Sequence, residues 1–415
     1  MNISLNRWIL NPIIVLFFLS VFLGSNAYLM SEQLHLVRII PLVLIAVILW
    51  RNDYKIIQKG RSFKLLIFAA IFYYLYTLAV SLIFHHYLEL NSLINFTVLF
   101  IVLIAAIILF NTEGQNALRV LFATSLVFYV TCILLAGYEI TTGNHLPVSA
   151  TNEYEWNQYI PTAFFTNTND FCAMHVLVFI FLITYARKSE KPMAINFVLW
   201  LAPISAVIYI VASSRISIAI MFAAILVMTN SSQKLKIFLS SIILTVLLAY
   251  SSPEMNEQIT QFVDSFFGMQ LDMGDNSSSI RKALYEYGFL SVENSFGLGL
   301  GVNASPGYYS SISDPRLGGI INPHGYIVEL WINGGVPVVL GYLTLLISLT
   351  LLLHKRPRFQ FVVFLVFYNM LLFSSSSSLF LWPHYLVFIA MWFTYSILVP
   401  NSFRASKAIR MGSNV

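Results

Sequence analysis

Charged residues are scarce in this sequence. Asp, Glu, Lys and Arg make up 10% of its 415 residues, whereas 58% are hydrophobic and 15% are aromatic. A soluble globular domain carries roughly 25% charged residues. A chain this apolar is unable to cover a water-facing surface, so its composition predicts an integral membrane protein. The formal net charge of +5 is therefore no indication of nucleic-acid binding.

Cysteines and metal-ligand patterns are also lacking. The two cysteines, Cys132 and Cys172, are too few for a disulfide framework. No Cys or His set has zinc-ligand spacing, and no D-x-D pair suggests a divalent-cation site for a nucleotide sugar. We therefore expect neither a metal nor a cofactor. No A-x-A cleavage site follows the first apolar run, which we interpret as a retained span and not as a signal peptide.

Long apolar runs dominate the chain instead. A membrane-spanning helix needs about 20 mostly apolar residues. Twelve runs approach this length: 8–24, 34–50, 65–84, 92–110, 118–137, 169–186, 194–212, 216–230, 236–250, 335–353, 359–376 and 382–400. The sequence thus predicts an all-α polytopic membrane protein of about 12 transmembrane helices, with residues 1–415 as a single integral membrane domain.

The distribution of charge predicts the orientation. With the N-terminus in the cytoplasm, all but five of the 23 basic residues fall on the cytoplasmic side, and all but three of the 18 acids fall outside. Lys and Arg are retained on the cytoplasmic side during insertion. We therefore expect both termini to be cytoplasmic, in a bacterial cytoplasmic membrane.

Two external segments exceed ordinary connections, the first external loop at 138–168 and the large external loop at 251–334, between spans nine and ten. Loops of such length are usually functional or disordered. The second has helical patterns. Apolar residues at helical spacing predict an interfacial helix: Ile259, Phe262, Val263, Phe266 and Phe267. A second short helix is expected in SSSIRKALYEYGF, with Arg281 in its first turn, and a third at INPHGYIVELW, with Pro323 at an early position.

Only five basic residues face outward in this orientation: Arg38, Arg215, Arg281, Lys282 and Arg316. A guanidinium at a membrane boundary is expensive unless paired, and it binds phosphate oxygens in a bidentate manner. The structural alternative is an arginine paired with an external acid such as Asp170 or Glu293. That alternative is favoured for any single arginine, but three arginines near one histidine favour a phosphate site.

The histidine in question is His324, which precedes Tyr326 and Glu329 at the start of the third short helix. Histidine is suited to proton transfer near neutral pH. A surface histidine at the lipid interface is the alternative. The segment GLGLGV (297–302) is similar to a dinucleotide fingerprint only superficially, because no helix with an acidic residue follows it.

The segment NTND (167–170) opens the sixth span. It is a good helix N-cap cluster, and capping alone would explain it. The side chains of Asn169 and Asp170 would equally suit sugar hydroxyls. The sequence leaves these two interpretations balanced.

Four segments in order resemble the superfamily of O-antigen ligases and Wzy-type polysaccharide polymerases, and most closely its Gram-positive capsule and teichuronic acid polymerases. They are PTAFFTNTNDFCA, SSRISIAI, SIRKALYEYGF…NSFGLGLG and NPHGYIVELWINGGVPVVL. The likeness covers the chain from about residue 160 onward, and Arg215, Arg281 and His324 match key family positions. One departure is His324-Gly325, where the family usually has His-Asn.

The resemblance implies a multispanning, lipid-donor glycosyltransferase (GT-C-like) that acts without a metal on a polyprenyl-diphosphate-linked oligosaccharide. Arg215 and Arg281 would stabilise the diphosphate leaving group, and His324 would act as general base. Further substrate contacts are expected from Arg316, Asn169, Asp170, Glu329 and Tyr326. The implied partners are this lipid-linked oligosaccharide, the bilayer and other polysaccharide-assembly proteins.

Three alternatives stay open beside a polymerase. A ligase would move a finished glycan to a different acceptor. A transporter or flippase would place ionisable residues near the bilayer midplane, whereas the polar groups here gather in external loops. A non-catalytic assembly partner would leave the arginines and the histidine unexplained.

Overall fold

The computed structural model describes residues 3–24, 35–51, 61–147, 158–188, 192–266, 276–321, 323, 325–354, 366, 369 and 386–391. Between residues 3 and 354 the described residues form thirteen α-helices and no β-strand, so the predicted all-α class is confirmed. The helices are α1 (Ile3–Leu23), α2 (Leu36–Arg51), α3 (Arg61–Ile83), α4 (Leu90–Glu113), α5 (Gln115–Thr142), α6 (Thr168–Lys188), α7 (Pro192–Val211), α8 (Arg215–Met228), α9 (Ser231–Ala249), α10 (Pro253–Phe266), α11 (Asn276–Asn294), α12 (Ser305–Ser310) and α13 (Tyr326–His354).

Apolar composition explains where these helices form. Lipid offers the backbone no hydrogen-bond partners, so a single chain segment at membrane depth must be helical. Among the described helices, six are long and apolar enough to cross a membrane, and three shorter ones are apolar as well. The protein is therefore a multi-pass membrane protein. The first nine predicted spans each coincide with one helix, from α1 to α9.

The number of twelve spans stays a prediction. The tenth predicted span, 335–353, lies within α13. The predicted spans 359–376 and 382–400 lie largely outside the described residues, of which 386–391 are helical.

Helix α6 lies at the centre of the bundle. The most apolar window of Thr168–Arg187 is 94% buried, far more than any other candidate span in the described part of the chain. Helices α5, α7 and α8 pack against it, and large side chains such as Phe171, Phe179 and Phe181 are fully covered. The N-terminus of α6 is therefore held by three neighbours at once.

One end of the bundle, which we call the loop end, collects the functional segments. There α3, α5, α7 and α9 end while α4, α6 and α8 begin. Helix α10 packs on α7 and α9 at this end, and it buries Met255, Ile259 and Phe262. The predicted interfacial helix is thus confirmed as a helix, while Phe267 lies outside the described residues.

A second, smaller core lies above the bundle. Residues 276–321, which we call the loop layer, pack their apolar side chains against the first turns of α13. The members of this core are Ala283, Leu284, Leu300, Ala304, Tyr308, Tyr309, Leu317, Val328 and Ile332. Phe84 and Tyr87, from the connection between α3 and α4, pack against it. The loop layer is therefore a folded unit attached to the bundle at two places.

The glycine-rich segment 297–301 of this layer supplies hydrogen-bond partners at the point where α13 is interrupted. Gly335 has φ 61° and ψ −160°, which interrupts the helix, and Pro337 has no N–H to donate to the carbonyl of Asn333. Gly301 N–H donates to that carbonyl at 2.9 Å, and Leu300 N–H donates to the carbonyl of Ile332 at 2.7 Å. The groups freed by the kink are thus satisfied by a chain segment from outside the helix.

Close approach of the two backbones requires glycine on both sides. A Cβ on Gly299 would lie 2.5 Å from the backbone nitrogen of Gly335, and a Cβ on Gly335 would collide with the carbonyl oxygen of Gly297. That oxygen accepts the N–H of Val336 at 2.9 Å. The segment that superficially matches a dinucleotide fingerprint therefore packs its backbone directly against the backbone of α13.

Two expectations about the loop-layer helices are corrected. Helix α11 begins at Asn276, so Arg281 lies in its second turn and not in its first. Helix α13 begins at Tyr326, so Pro323 precedes it. The expected separation of a third short helix from the tenth span agrees with the structure, because Gly335 has a non-helical conformation that divides α13 into two helical parts.

We expect Gly335→Ala to destabilise the protein by at least about 2 kcal/mol, because alanine is strained at this φ and its methyl group meets the facing backbone. The measurement is the apparent melting temperature of the purified protein in detergent. Gly341→Ala is the matched control in the same helix, where a Cβ meets nothing within 4 Å. The contact is disproved if both variants melt at the wild-type temperature.

Candidate functional site

The proposed general base, His324, lies outside the described residues. Its neighbours Pro323 and Gly325 are both buried, and the carbonyl of Gly325 accepts the N–H of Glu329 at 3.0 Å. Gly325 immediately precedes α13, which begins at Tyr326.

Tyr326 and Glu329 line a crevice between α3, α4 and α13. It has a volume of about 40 Å³, enough for water molecules, and its walls are mainly apolar. Its polar lining comes from Tyr73 and Thr77 on α3 and from Asn333 on α13. Glu329 is almost completely buried there. The structure thus places a buried carboxylate in the first turn of α13.

Arg316 is held by two carboxylates of the loop layer. Its guanidinium lies 2.8 Å from an oxygen of Asp314 and 3.1 Å from one of Glu286, and it lies over the ring of Tyr287. The Arg316 guanidinium and then the Tyr287 hydroxyl lower the pKa of Asp314 to about 2. Because that pKa is depressed, the pair persists above about pH 2 and is lost only as the pH falls through that value. Arg316 thus has a structural role, and its contact with substrate stays a prediction.

Arg281 and Arg215 have different surroundings from Arg316. Both side chains are exposed, and neither forms an ion pair within the described part of the chain. Arg281 lies on α11 beside Lys282, which is exposed as well. Their role as phosphate ligands stays a prediction.

The turn before Arg215 has an unusual conformation. Ser213 has φ 52°, and the N–H of Ser214 donates to the carbonyl of Tyr209 at 2.9 Å. Ser214 Oγ donates to Ser217 Oγ at 2.9 Å and lies beside the thiol of Cys172. Arg215 is therefore fixed at the first position of α8, close to the start of α6.

Asn167 and Asp170 cap α6, as one of the two sequence interpretations proposed. The N–H of Asp170 donates to Asn167 Oδ1 at 3.0 Å, and Asn167 Nδ2 donates to Asp170 Oδ2 at 2.7 Å. Asp170 is buried, whereas Asn169 is exposed. Capping accounts for Asn167 and Asp170. The amide of Asn169 is exposed, so contact between this side chain and a sugar hydroxyl stays a prediction.

A buried histidine connects three helices beneath this site. His175 Nδ1 lies 2.7 Å from the hydroxyl of Tyr209, and its ring stacks on that of Tyr129 with centroids 4.2 Å apart. The hydroxyl of Tyr129 bonds Ser205 Oγ. Because Tyr209 also accepts the N–H of Ser214, this network joins α5 and α6 to the turn that carries Arg215.

A second buried polar cluster was missed by the sequence analysis. Glu139, 1% exposed near the end of α5, accepts the backbone N–H groups of Thr162 and Ala163, both at 2.8 Å. His145 Nδ1 lies 3.2 Å from the same carboxylate, and its Nε2 lies 2.6 Å from the carbonyl of Gln158. The signal was available, because an acid at the end of an apolar span needs a partner.

The candidate residues therefore form two groups. Asn169, Asp170 and Arg215 lie at the starts of α6 and α8, which pack against each other. The second group, Arg281, Arg316, Tyr326 and Glu329, lies on the loop layer and the start of α13. Among the described residues, no three His, Cys, Asp or Glu side chains converge as metal ligands would.

Comparison with known proteins identifies the segment that carries most of these residues. Residues 197–343 match the family described as O-antigen ligase. The matched segment runs from α7 to the middle of α13 and includes the sequence positions of Arg215, Arg281, Arg316 and His324. The resemblance inferred from the sequence is thus confirmed.

A curated relative extends this match. The teichuronic acid biosynthesis protein TuaE of Bacillus subtilis (strain 168) is 25% identical over 261 residues. The aligned residues make up 60% of this chain and 52% of TuaE, so the match spans about half the length of that relative. The similarity to Gram-positive members of the superfamily is consistent with this relative.

We expect Glu139→Ala to destabilise the protein by at least about 2 kcal/mol, because each buried N–H left without an acceptor costs about 1–3 kcal/mol. Two such groups, of Thr162 and Ala163, lose their acceptor together. The measurement is the melting temperature in detergent, with proteolysis of the segment before α6 as a second readout. Glu89→Ala is the control, since Glu89 is exposed at the same end of the bundle and makes no side-chain cap. Equal effects of both substitutions would contradict this role.

Proposed function

We propose that this protein is a polysaccharide polymerase. It joins polyprenyl-diphosphate-linked oligosaccharide repeat units on the external face of the cytoplasmic membrane. The observation that carries the proposal is the match of residues 197–343 to the O-antigen ligase family, a range that contains Arg215, Arg281 and His324. The relative in Bacillus subtilis, named for teichuronic acid biosynthesis, supports extension of a polymer over transfer to a lipid A core.

Arg215 and Arg281 are proposed to bind the leaving group. As the glycosidic bond to the diphosphate breaks, negative charge develops on the departing oxygen. Guanidinium groups form charge-assisted, often bidentate hydrogen bonds with phosphate oxygens, and they stabilise that charge where it appears. Arg215 and Arg281 are exposed at the loop end of the bundle and are suited to this role without a metal ion.

His324 is proposed as the general base. It takes the proton of an acceptor hydroxyl while the hydroxyl oxygen attacks the anomeric carbon from the side opposite the diphosphate. The new glycosidic bond forms as the bond to the leaving group breaks, so the anomeric configuration inverts. The products are a chain longer by one unit and a polyprenyl diphosphate.

Binding of the sugars is proposed for the polar groups around these residues. Glu329 and Tyr326 line the crevice between α3, α4 and α13, where a carboxylate and a phenol can orient hydroxyls. Asn169 and Asp170 stand near Arg215, and Arg316 stands near Arg281 on the loop layer. Because Asp170 and Arg316 already have protein partners, we expect them to hold their neighbours in place as well as contact substrate.

The test is the size distribution of cell-surface and lipid-linked polysaccharide in a deletion strain. The strain is complemented with wild type, His324→Ala, Arg281→Ala or Arg215→Ala. We expect each variant to insert normally and to leave single lipid-linked repeats, because the chemical step is lost. Lys282→Ala is the matched control, since it removes an equally exposed cation next to Arg281 and should leave chain length unchanged.

Other outcomes would point to other functions. Long lipid-linked chains that never reach a final acceptor would identify a ligase. Unchanged polysaccharide in all three variants would remove the catalytic assignment and favour a transporter or a non-catalytic assembly partner.

A further inference from the structure

Phe296 combines two features that are rare in one residue. It follows the end of α11 with φ 52°, in the left-handed region that bulky side chains seldom adopt. Its side chain is also 93% exposed. Glycine or asparagine would relieve the strain and remove an aromatic surface from water. An apolar partner outside the protein would explain why phenylalanine stands here.

The neighbouring backbone lies well below the loop end of the bundle. The hydroxyl of Tyr76 donates to the carbonyl of Leu298 at 3.0 Å. Tyr76 precedes the end of α3 at Ile83 by seven residues, or about 10 Å along the helix. Nearer that end, Ser81 Oγ accepts the N–H of Val302 at 2.7 Å. The chain from Val302 to Leu298 therefore descends along α3 towards the middle of the membrane.

The kink of α13 contacts the same segment, because the N–H of Val336 donates to the carbonyl of Gly297 at 2.9 Å. Non-helical backbone is tolerated at such depth only where the protein satisfies its polar groups. Here the kink of α13 and the side chains of Tyr76 and Ser81 do so.

The surface beside this segment faces lipid. The ring of Tyr76 stacks with that of Phe72, with centroids 6.2 Å apart. Phe72 is 60% exposed and Leu75 is 56% exposed, on an apolar helix of the bundle. Exposed apolar side chains on such a helix contact acyl chains. The descending segment is therefore continuous with a lipid-facing surface.

The last turns of α11 have the composition of a membrane boundary. Phe289 and Leu290 are exposed there, next to the exposed polar side chains of Glu293 and Asn294. Mixed aromatic, aliphatic and polar surfaces are typical of chain segments that lie at the headgroup level. Phe296 follows directly and lies deeper than these residues.

We infer that residues 296–301 form a re-entrant loop and that Phe296 anchors the loop layer in the acyl chains of the bilayer. The occupant of this surface is bilayer lipid and not a second protein, because the surface continues the exposed apolar face of α3. The inference is independent of the reaction that the protein catalyses.

The test is a spin label on Phe296→Cys in vesicles of phosphatidylethanolamine and phosphatidylglycerol. Both native cysteines, Cys132 and Cys172, are buried, so labelling is selective. Relaxation by oxygen, which concentrates in acyl chains, is compared with relaxation by a water-soluble nickel chelate. We expect the label to favour oxygen, with a depth parameter shifted to the positive value of a membrane-embedded site.

Two controls bracket this result. Leu75→Cys reports the lipid-facing side of α3, and Ser313→Cys reports an exposed polar turn of the loop layer. A label at position 296 that matches Ser313→Cys would place Phe296 in water and overturn the inference. A label reached by neither reagent would indicate contact with protein and overturn it as well. If Phe296→Cys does not fold, Leu298→Cys on the same segment decides by the same criteria.

Discussion

Inside a bilayer there is no water to complete a broken helix, so any N–H or carbonyl released at a kink has to find its partner within the protein. In α13 that constraint falls on Gly335 and Pro337, and the glycine-rich segment of the loop layer meets it. The position of the loop layer follows from this contact. Because both backbones must approach within the width of a hydrogen bond, the loop layer has one register against α13. The first part of α13, which carries Glu329, is fixed by the same register.

Much of the bundle could be predicted from the sequence, because its helices are encoded by local apolar runs. Helices α4 and α5 extend a few residues beyond the runs that predict them, since helical geometry continues until a glycine such as Gly114 or Gly143 ends it. The interruption of α13 at Gly335 could also be predicted, because a Gly-Gly-Val-Pro sequence normally interrupts a helix. The hydrogen-bond partners of the backbone groups freed there could not be predicted. They come from residues more than 30 positions earlier in the chain, and nothing in the local sequence identifies them.

The residue types of the candidate site could be predicted from the sequence, but the ion pairs and hydrogen bonds between them could not. The sequence places Arg281 and Arg316 in the same segment with the same charge, yet only Arg316 sits between Asp314 and Glu286. That difference depends on the 3-10 turn at Pro315–Leu317, which turns the chain so that Arg316 reaches the neighbouring helix. In the same way, Glu139 ends an ordinary apolar helix in the sequence and becomes an anchor only when the segment before α6 folds back onto it.

The attachment of the loop layer to the connection between α3 and α4 has a consequence for biosynthesis. Ser81 and Ser92 bond Val302 and Asn303, partners that are separated from them by 221 and 211 residues. Contacts of such long range form late, because the intervening chain must first be ordered. The α3–α4 hairpin is made and inserted long before its partner emerges from the ribosome. The helices α3 and α4 therefore enter the membrane before their partners exist. Their surface is completed only when residues 302 and 303 have been synthesised and have bonded Ser81 and Ser92.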